Sequence, residues 1–329
     1  MPTRASAFQL SEFGKPDVLR FQEIELPAPA AGEIQIRHLA IGVNFIDVYH
    51  RQGIFAAPLR LPGGLGVEGV GEIIGRGKGV AAFKVGDRVA YVGGPPGAYA
   101  THRNLPAARA LLVPASLESE TVAALIFKGL TAEYLIHRCV PVQSGDAVLF
   151  HAAAGGVGSI ACQWLKHLGA TVIGTVGTEE KAERARVNGC DYAIVYTTED
   201  FQAQVMNITG GKGVRVAFDS VGAETFAKSL DCLQPRGTLV SFGEASGPVP
   251  GVSMGSLGAK GSLFVTRPSI AHYTADRGEY EAAADRLFEA VLSDAVRRPA
   301  MTTYPLHDAS QAHEDLEARR TSGSIVLLP

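Results

Sequence analysis

The residues best placed to do chemistry in this 329-residue chain stand at one turn, Ala153-Ala154-Gly155-Gly156-Val157-Gly158. Val148-Leu149-Phe150 before it reads as a strand, and the residues after it, to Leu168, as a helix. The first N–H groups of a helix have no intrahelical partner, and the helix dipole adds positive charge there, so a pyrophosphate is accommodated. Small residues let the backbone approach it, and the last glycine lets helix and strand pack closely. Ala153 takes the first position of G-x-G-x-x-G, while Gly155 and Gly158 keep the others. A second strand, Thr171 to Val176, arrives on schedule and completes the context in which such a turn binds a dinucleotide.

The tip of that second strand selects the nucleotide. NAD sites usually carry Asp or Glu there, and the carboxylate repels a 2′-phosphate. This chain has Gly177 and Thr178, then Glu179, Glu180 and Lys181. Thr178 is read as a helix cap and Lys181 as the cation for a phosphate, which predicts NADPH. The alternative turns Glu179 or Glu180 towards a ribose.

These residues need a scaffold, and the alternation from Ala147 supplies one. Strands are expected at 147–150, 171–176, 192–195, 214–219, 237–241 and 262–265, with helices at 157–168, 179–188, 200–209 and 223–233. The fold class is α/β, a doubly wound parallel sheet whose carboxyl edge carries Asp219, Ser220, Phe242 and Gly243. The first 127 residues instead alternate short apolar runs with Gly and Pro, as a small β-rich domain does. A helix at about 278–293, a strand at 302–304, a helix at 308–320 and a strand from Ser324 to Leu328 close the chain.

Composition excludes several functions. The chain is 46% hydrophobic and 19% charged, with net charge −3 and no Lys/Arg run, so no nucleic-acid partner is expected. No apolar stretch reaches the length of a membrane span, and Met1-Pro2-Thr3-Arg4 does not begin a signal peptide, so a cytoplasmic location is expected. Cys139, Cys162, Cys190 and Cys232 are scattered and read as free thiols. His50, His102, His137 and His151 show no metal spacing, and His151 reads as structural.

Lys84-Val85-Gly86-Asp87-Arg88-Val89, the glycine turn and the returning tail together resemble the medium-chain dehydrogenase/reductase superfamily. Val43 to Tyr49, Lys128-Gly129-Leu130-Thr131-Ala132, Ala152 to Gly158, Asp219-Ser220-Val221-Gly222 and Val265-Thr266-Arg267-Pro268 are similar to the zeta-crystallin-type NADPH:quinone oxidoreductases within it. That resemblance covers essentially the whole chain. It implies a GroES-like catalytic domain at 1–127, a Rossmann domain at 128–267 inserted into it, and a return at 268–329. It also implies a cleft between the domains and a homodimer or homotetramer.

The zinc members of the superfamily place metal ligands at positions matching Asn44, Val67 and Phe127. Asparagine is a poor zinc ligand, and valine and phenylalanine are none. Glu68 stands beside Val67, and Gly93 to Asn104 lacks the cysteines of a structural zinc loop. No metal is therefore expected. Without a Lewis acid the feasible chemistry is hydride delivery, or single electrons, to an acceptor that is already electron-poor, namely a small quinone or an α,β-unsaturated carbonyl. The resemblance implies that Asn44 and Tyr49 orient the reacting groups, with Tyr49 a candidate proton donor. It implies cofactor contacts from Asn44, Thr131, Gly155, Gly156 and Val157. Gly177, Thr178, Lys181 and Tyr196 would surround the 2′-phosphate; Ser220, Phe242, Gly243, Val265 and Arg267 would line the nicotinamide half, with Arg319 reaching from the last helix. The rival readings are an NADPH-dependent enone or 2-alkenal reductase and a non-catalytic NADPH-binding protein, crystallin-like or RNA-binding.

Overall fold

The computed structural model describes residues 2–54, 59–249, 251–318, 320–321 and 323–329. Two compact units divide the chain: Met1–Phe127 with Arg298–Pro329, and Lys128–Arg297.

The first unit begins with β1 (Thr3–Leu10), β2 (Arg20–Leu26) and β3 (Glu33–Val43). Helix α1 (Phe45–Gln52) follows, then β4 (Gly63–Gly64), β5 (Glu68–Arg76), β6 (Arg88–Val92), β7 (His102–Pro106) and β8 (Ala110–Leu112). β1 pairs antiparallel with β2 and β4 in a three-stranded sheet, and β3 pairs antiparallel with both β5 and β7. Ile34, Ile36, Ile41, Val43, Ile73, Val89 and Tyr91 form the heart of its core. Helix α1 ends at Gly53, whose φ of 70° is the left-handed conformation that closes a helix.

Helix α2 (Ser119–Glu133) carries the chain across the boundary and continues as a π-helical turn, Tyr134–Cys139. The second unit then alternates: β9 (Ala147–His151), α3 (Gly156–His167), β10 (Thr171–Val176), α4 (Glu179–Val187), β11 (Tyr192–Val195), α5 (Phe201–Ile208), β12 (Val214–Asp219), α6 (Phe226–Asp231) and β13 (Leu233–Ser241). Short helix α7 (Met254–Ala259), β14 (Phe264–Thr266), short helix α8 (Ile270–Tyr273) and α9 (Arg277–Leu292) complete it. All pairings are parallel, in the order β11-β10-β9-β12-β13-β14. Strand order reverses at β9, and open α/β sheets bind ligands outside the carboxyl ends at such a switch point. The tail returns to the first unit as β15 (Met301–Pro305), α10 (Ala309–Glu317) and β16 (Ser324–Leu328), with β16 antiparallel to β3.

Several boundaries differ from the sequence reading. The second unit runs to Arg297 rather than ending at 267, because α9 packs on α2: a Cβ on Gly129 would lie 2.5 Å from Leu287 Cδ1. Arg286 also pairs with Glu133 at 2.6 Å. The helix expected at 223–233 contracts to Phe226–Asp231, and the strand after it starts early, at Leu233. Asp219 Oδ1 accepts from the Val221 and Gly222 N–H groups at 2.7 and 3.1 Å, holding the chain in a turn before that helix starts. The last helix ends at Glu317, not 320.

Candidate active site

The glycine turn lies between β9 and α3 at the switch point. Ala152 adopts φ 54°, a left-handed conformation that costs a non-glycine residue about 1 kcal/mol. Ala153 then donates its N–H to the Thr175 carbonyl at 3.1 Å, pinning the turn to β10. Gly155 caps α3, and Gly156, Val157 and Gly158 present the first N–H groups of the helix. A Cβ on Gly158 would lie 2.4 Å from the Ala152 oxygen and 2.8 Å from Ala153 Cα, so only glycine fits. The alanine that displaces the first motif glycine has its own accommodation: a Cβ on Gly174 would come within 2.6 Å of the Ala153 methyl. The same glycine makes room for Cys190, whose Sγ would lie 2.7 Å from that Cβ.

At the tip of β10, Thr178 Oγ1 accepts from the Lys181 N–H at 3.3 Å and caps α4. Thr197 Oγ1 donates to the Gly177 carbonyl at 3.1 Å, and a Cβ on Gly177 would lie 3.5 Å from the Tyr196 hydroxyl. Gly177, Thr178, Lys181 and Tyr196 thus share one edge. Glu179 pairs with Arg186 at 3.0 Å and Glu180 with Arg184, so both acidic residues are engaged by arginines of their own helix.

The other half of the edge is equally well knit. Phe242 N–H donates to the Asp219 carbonyl at 2.8 Å, and a Cβ on Gly243 would lie 2.7 Å from the Ser220 oxygen. Arg267 donates to Ser241 Oγ at 3.2 Å and to the Gly243 carbonyl at 3.1 Å, which ties the ends of β13 and β14 together near Val265. Thr131 is buried on α2, 6% exposed.

Beneath the turn lies a buried polar chain. Ser229 Oγ donates to the Thr225 carbonyl at 2.8 Å, so it accepts from His151 Nε2 at 2.8 Å. His151 Nδ1 is then the acceptor for Thr175 Oγ1, also at 2.8 Å. Burial pushes the imidazole pKa down despite the opposing pull of Asp219, so His151 is a neutral strut. The structural role read from the sequence fits this geometry.

In the first unit Asn44 is the N-cap of α1 and is buried, 6% exposed. Asp47 Oδ2 accepts from the Asn44 N–H at 2.9 Å and from the Tyr99 hydroxyl at 3.1 Å. Asn44 Nδ2 donates to Glu68 Oε1 at 2.6 Å, while Glu68 Oε2 accepts from the Phe127 N–H at 2.9 Å. Glu68 is fully buried, and a Cβ on Gly42 would collide with it at 2.0 Å. Tyr49 is half-buried on the same helix, its ring 6.5 Å from that of Phe45. Arg319 lies outside the described residues. Among the described residues, no group of three or more His, Cys, Asp or Glu side chains is disposed to hold a metal ion.

Sequence reasoning missed the clasp that Glu68 makes and the Gly174 accommodation. Both join residues far apart in the chain and leave no local signal. The Asp219 turn was missed as well, since the sequence reading started the helix at 223.

A parallel sheet bearing a dinucleotide turn, inserted in the chain between two parts of a mainly antiparallel β-unit, defines the medium-chain dehydrogenase/reductase architecture. Residues 30–142 match the alcohol dehydrogenase GroES-like domain, and residues 156–289 match the zinc-binding dehydrogenase domain. The quinone oxidoreductase of Pseudomonas aeruginosa is 46% identical over 99% of this chain and 100% of its own. The solved Escherichia coli quinone oxidoreductase complexed with NADPH is 46% identical, with a TM-score of 0.95 over 98% of this chain and 100% of that one. The 2-haloacrylate reductase of a Burkholderia species is also 46% identical, over 96% of each chain. This chain belongs to the quinone oxidoreductase family.

Proposed function

We propose that this chain is a zinc-independent NADPH:quinone oxidoreductase that passes a hydride, or electrons singly, to small quinones. The observation that carries the metal-free reading is the Glu68 clasp. Its carboxylate accepts from Asn44 Nδ2 and from the Phe127 N–H, residues at two of the three positions where the zinc relatives hold metal.

The residues fit the cofactor. Gly158 leaves no room for a side chain beneath the turn, and the α3 N–H groups suit a diphosphate. Lys181 and Tyr196 would hold the 2′-phosphate, while Thr131, Ser220, Phe242, Gly243, Val265 and Arg267 would shape the nicotinamide half. NADPH, when bound, supplies the hydride to an electron-poor acceptor. Tyr49 would donate a hydrogen bond to the developing oxyanion or to a ribose hydroxyl, and Asn44, locked by Glu68, would orient the same region. Protons can come from water.

The likeness to a 2-haloacrylate reductase keeps a second reading in view, reduction of an activated carbon–carbon double bond. We place the protein in the cytoplasm, where its four free cysteines stay reduced. We also propose a homodimer, supported by edge strand β14, where Phe264 is 61% exposed.

Steady-state turnover of 1,4-benzoquinone and of a 2-alkenal, each with NADPH and NADH, tests the reading. Faster turnover of the quinone with NADPH is expected. Preference for the alkenal moves the assignment to the second reading, and binding without turnover of either abolishes the enzyme reading. Lys181→Ala should raise KM for NADPH about tenfold more than KM for NADH, the loss of one charge-assisted contact.

A further inference from the structure

Helix α1 is inverted relative to an ordinary amphipathic helix. It buries Asp47, His50 and Arg51 and leaves Phe45 42% exposed. Buried polar side chains and exposed large apolar ones are the informative exceptions to burial, and one helix of eight residues carries both. The buried polar face has its reason in the fold. Asp47 caps the helix through the Asn44 N–H at 2.9 Å, and Arg51 reaches Glu317 on α10 at 2.8 Å. The exposed ring has no such reason, since the first turn of a helix favours proline or an acidic side chain over a solvent-facing phenylalanine.

Phe45 and Tyr49 stand four residues apart and so share one face of α1. Helical side chains lean towards the N-terminus, which carries the Tyr49 ring back towards Phe45. The ring centroids are 6.5 Å apart and the planes are tilted by 43°. Two rings so placed make a corner with aromatic walls, one residue from the cap Asn44. An aromatic ring left open to solvent gains most from a second flat π-system laid against it.

We propose that Phe45 is a specificity-determining residue of the acceptor site, its exposed ring stacking on the ring of a quinone. The inference rests on the quinone reading and deepens it. A quinone offers a carbonyl to Tyr49 and a flat ring to Phe45. A 2-alkenal offers the carbonyl with only a short conjugated plane. Phe45 therefore favours the first acceptor over the second.

The test is steady-state kinetics with 1,4-naphthoquinone and with trans-2-hexenal, at saturating NADPH, for wild type, Phe45→Leu and Phe45→Trp. Leucine keeps apolar bulk and removes the flat ring, while tryptophan restores one. Phe45→Leu should raise KM for the quinone about fivefold more than KM for the alkenal. The loss should fall in KM rather than kcat, because stacking holds the acceptor equally before and during transfer. Phe45→Trp should bring KM for the quinone back to within about twofold of wild type. Equal rises for both acceptors overturn the assignment, since they mean that Phe45 supports α1 without touching the acceptor ring. Constants unchanged within about twofold overturn it as well, and so does a Phe45→Leu effect that Phe45→Trp fails to reverse. A changed sedimentation coefficient for Phe45→Leu overturns it too, because the ring then covers a face between subunits. Phe45→Met runs the same comparison should the leucine variant fail to fold. Absence of quinone turnover in the wild type would instead sink the quinone reading itself, a result distinct from any of these.

Discussion

Each unit buries a carboxylate near its functional residues, and the two are satisfied in opposite ways. Asp219, in the second unit, takes the N–H groups of Val221 and Gly222 and the hydroxyl of Thr225, all within six residues. Glu68, in the first, takes Asn44 Nδ2 and the Phe127 N–H from 24 and 59 residues away. Glu133 combines both, with Arg138 five residues on and Arg286 153 residues away. A locally satisfied carboxylate shapes a turn that forms early and cheaply. A distantly satisfied one fastens separate elements, and its energy is realised only when the unit is assembled.

The contrast can be broken in four ways, from the largest expected effect to the smallest. Glu133→Ala leaves two guanidinium groups facing a vacated site and should cost about 3 kcal/mol. That is the lower end for a buried pair, since the Arg286 side chain stays 42% exposed. Urea unfolding measures it, and a cost below about 1 kcal/mol would show that the solvated arginine carries the site. Glu68→Ala should cost about 2–3 kcal/mol, and Asp219→Ala about 1–2 kcal/mol, because the local donors of Asp219 reach water more easily. A larger loss for Asp219 in paired denaturation curves would reverse the comparison. The Glu68→Ala and Asn44→Ala effects should also fall short of additivity by about 1 kcal/mol.

The third prediction concerns pH. Burial, with help from Arg103, holds His38 at about 3, and burial with help from Arg51 holds His313 at about 3. His38 is neutral in the fold, bonded to the Ala100 carbonyl at 2.6 Å and the Tyr91 hydroxyl at 2.8 Å. The unfolded chain binds these protons below pH 6.5 and the folded chain does not. Their contribution is therefore whole above that pH and is lost progressively towards pH 3. Each ring should remove about 1.4 kcal/mol per pH unit in that window. Melting curves should show a proton uptake on unfolding that grows as the pH falls from 7 to about 5.5. His50, His102, His137 and His151, also lowered by burial, add their share, and His38→Gln should remove nearly one proton at the acid end of that window. The smallest effect is at Tyr49, where Tyr49→Phe should lower kcat by about threefold if the hydroxyl only orients ligands. A hundredfold fall would make it the essential acid.

Most of the second unit was readable residue by residue. Its strands are short apolar runs set between turn residues, and parallel strands buried on both faces carry that signature. The helix start at Thr178 was equally plain, since a threonine followed by Glu179 and Glu180 is a capping pattern. The early start of β13 was not: Leu233 pairs with Val214, the register then shifts across Gln234-Pro235-Arg236-Gly237, and regular pairing resumes at Thr238, so the turn residues mark an irregularity inside the strand. Nor was the second unit's end at Arg297, because α9 looks the same in sequence whichever surface it packs on. The Leu287–Gly129 contact decides that.

The chain order of residues by itself determined everything that depends on backbone chemistry over a few positions: the dinucleotide turn, the caps, the alternation of strands and helices, and the absence of zinc-ligand residue types at 44, 67 and 127. Tertiary structure alone decided which side chains share a buried site. It joined Glu68 to Asn44 and Phe127, set Gly174 against the Ala153 methyl, and laid the Lys128 stem across Gly156. The reason is physical. Local geometry follows from steric and hydrogen-bonding rules that act over one turn of chain, whereas a buried polar contact is set by packing between elements whose separation in sequence says nothing about their distance in space.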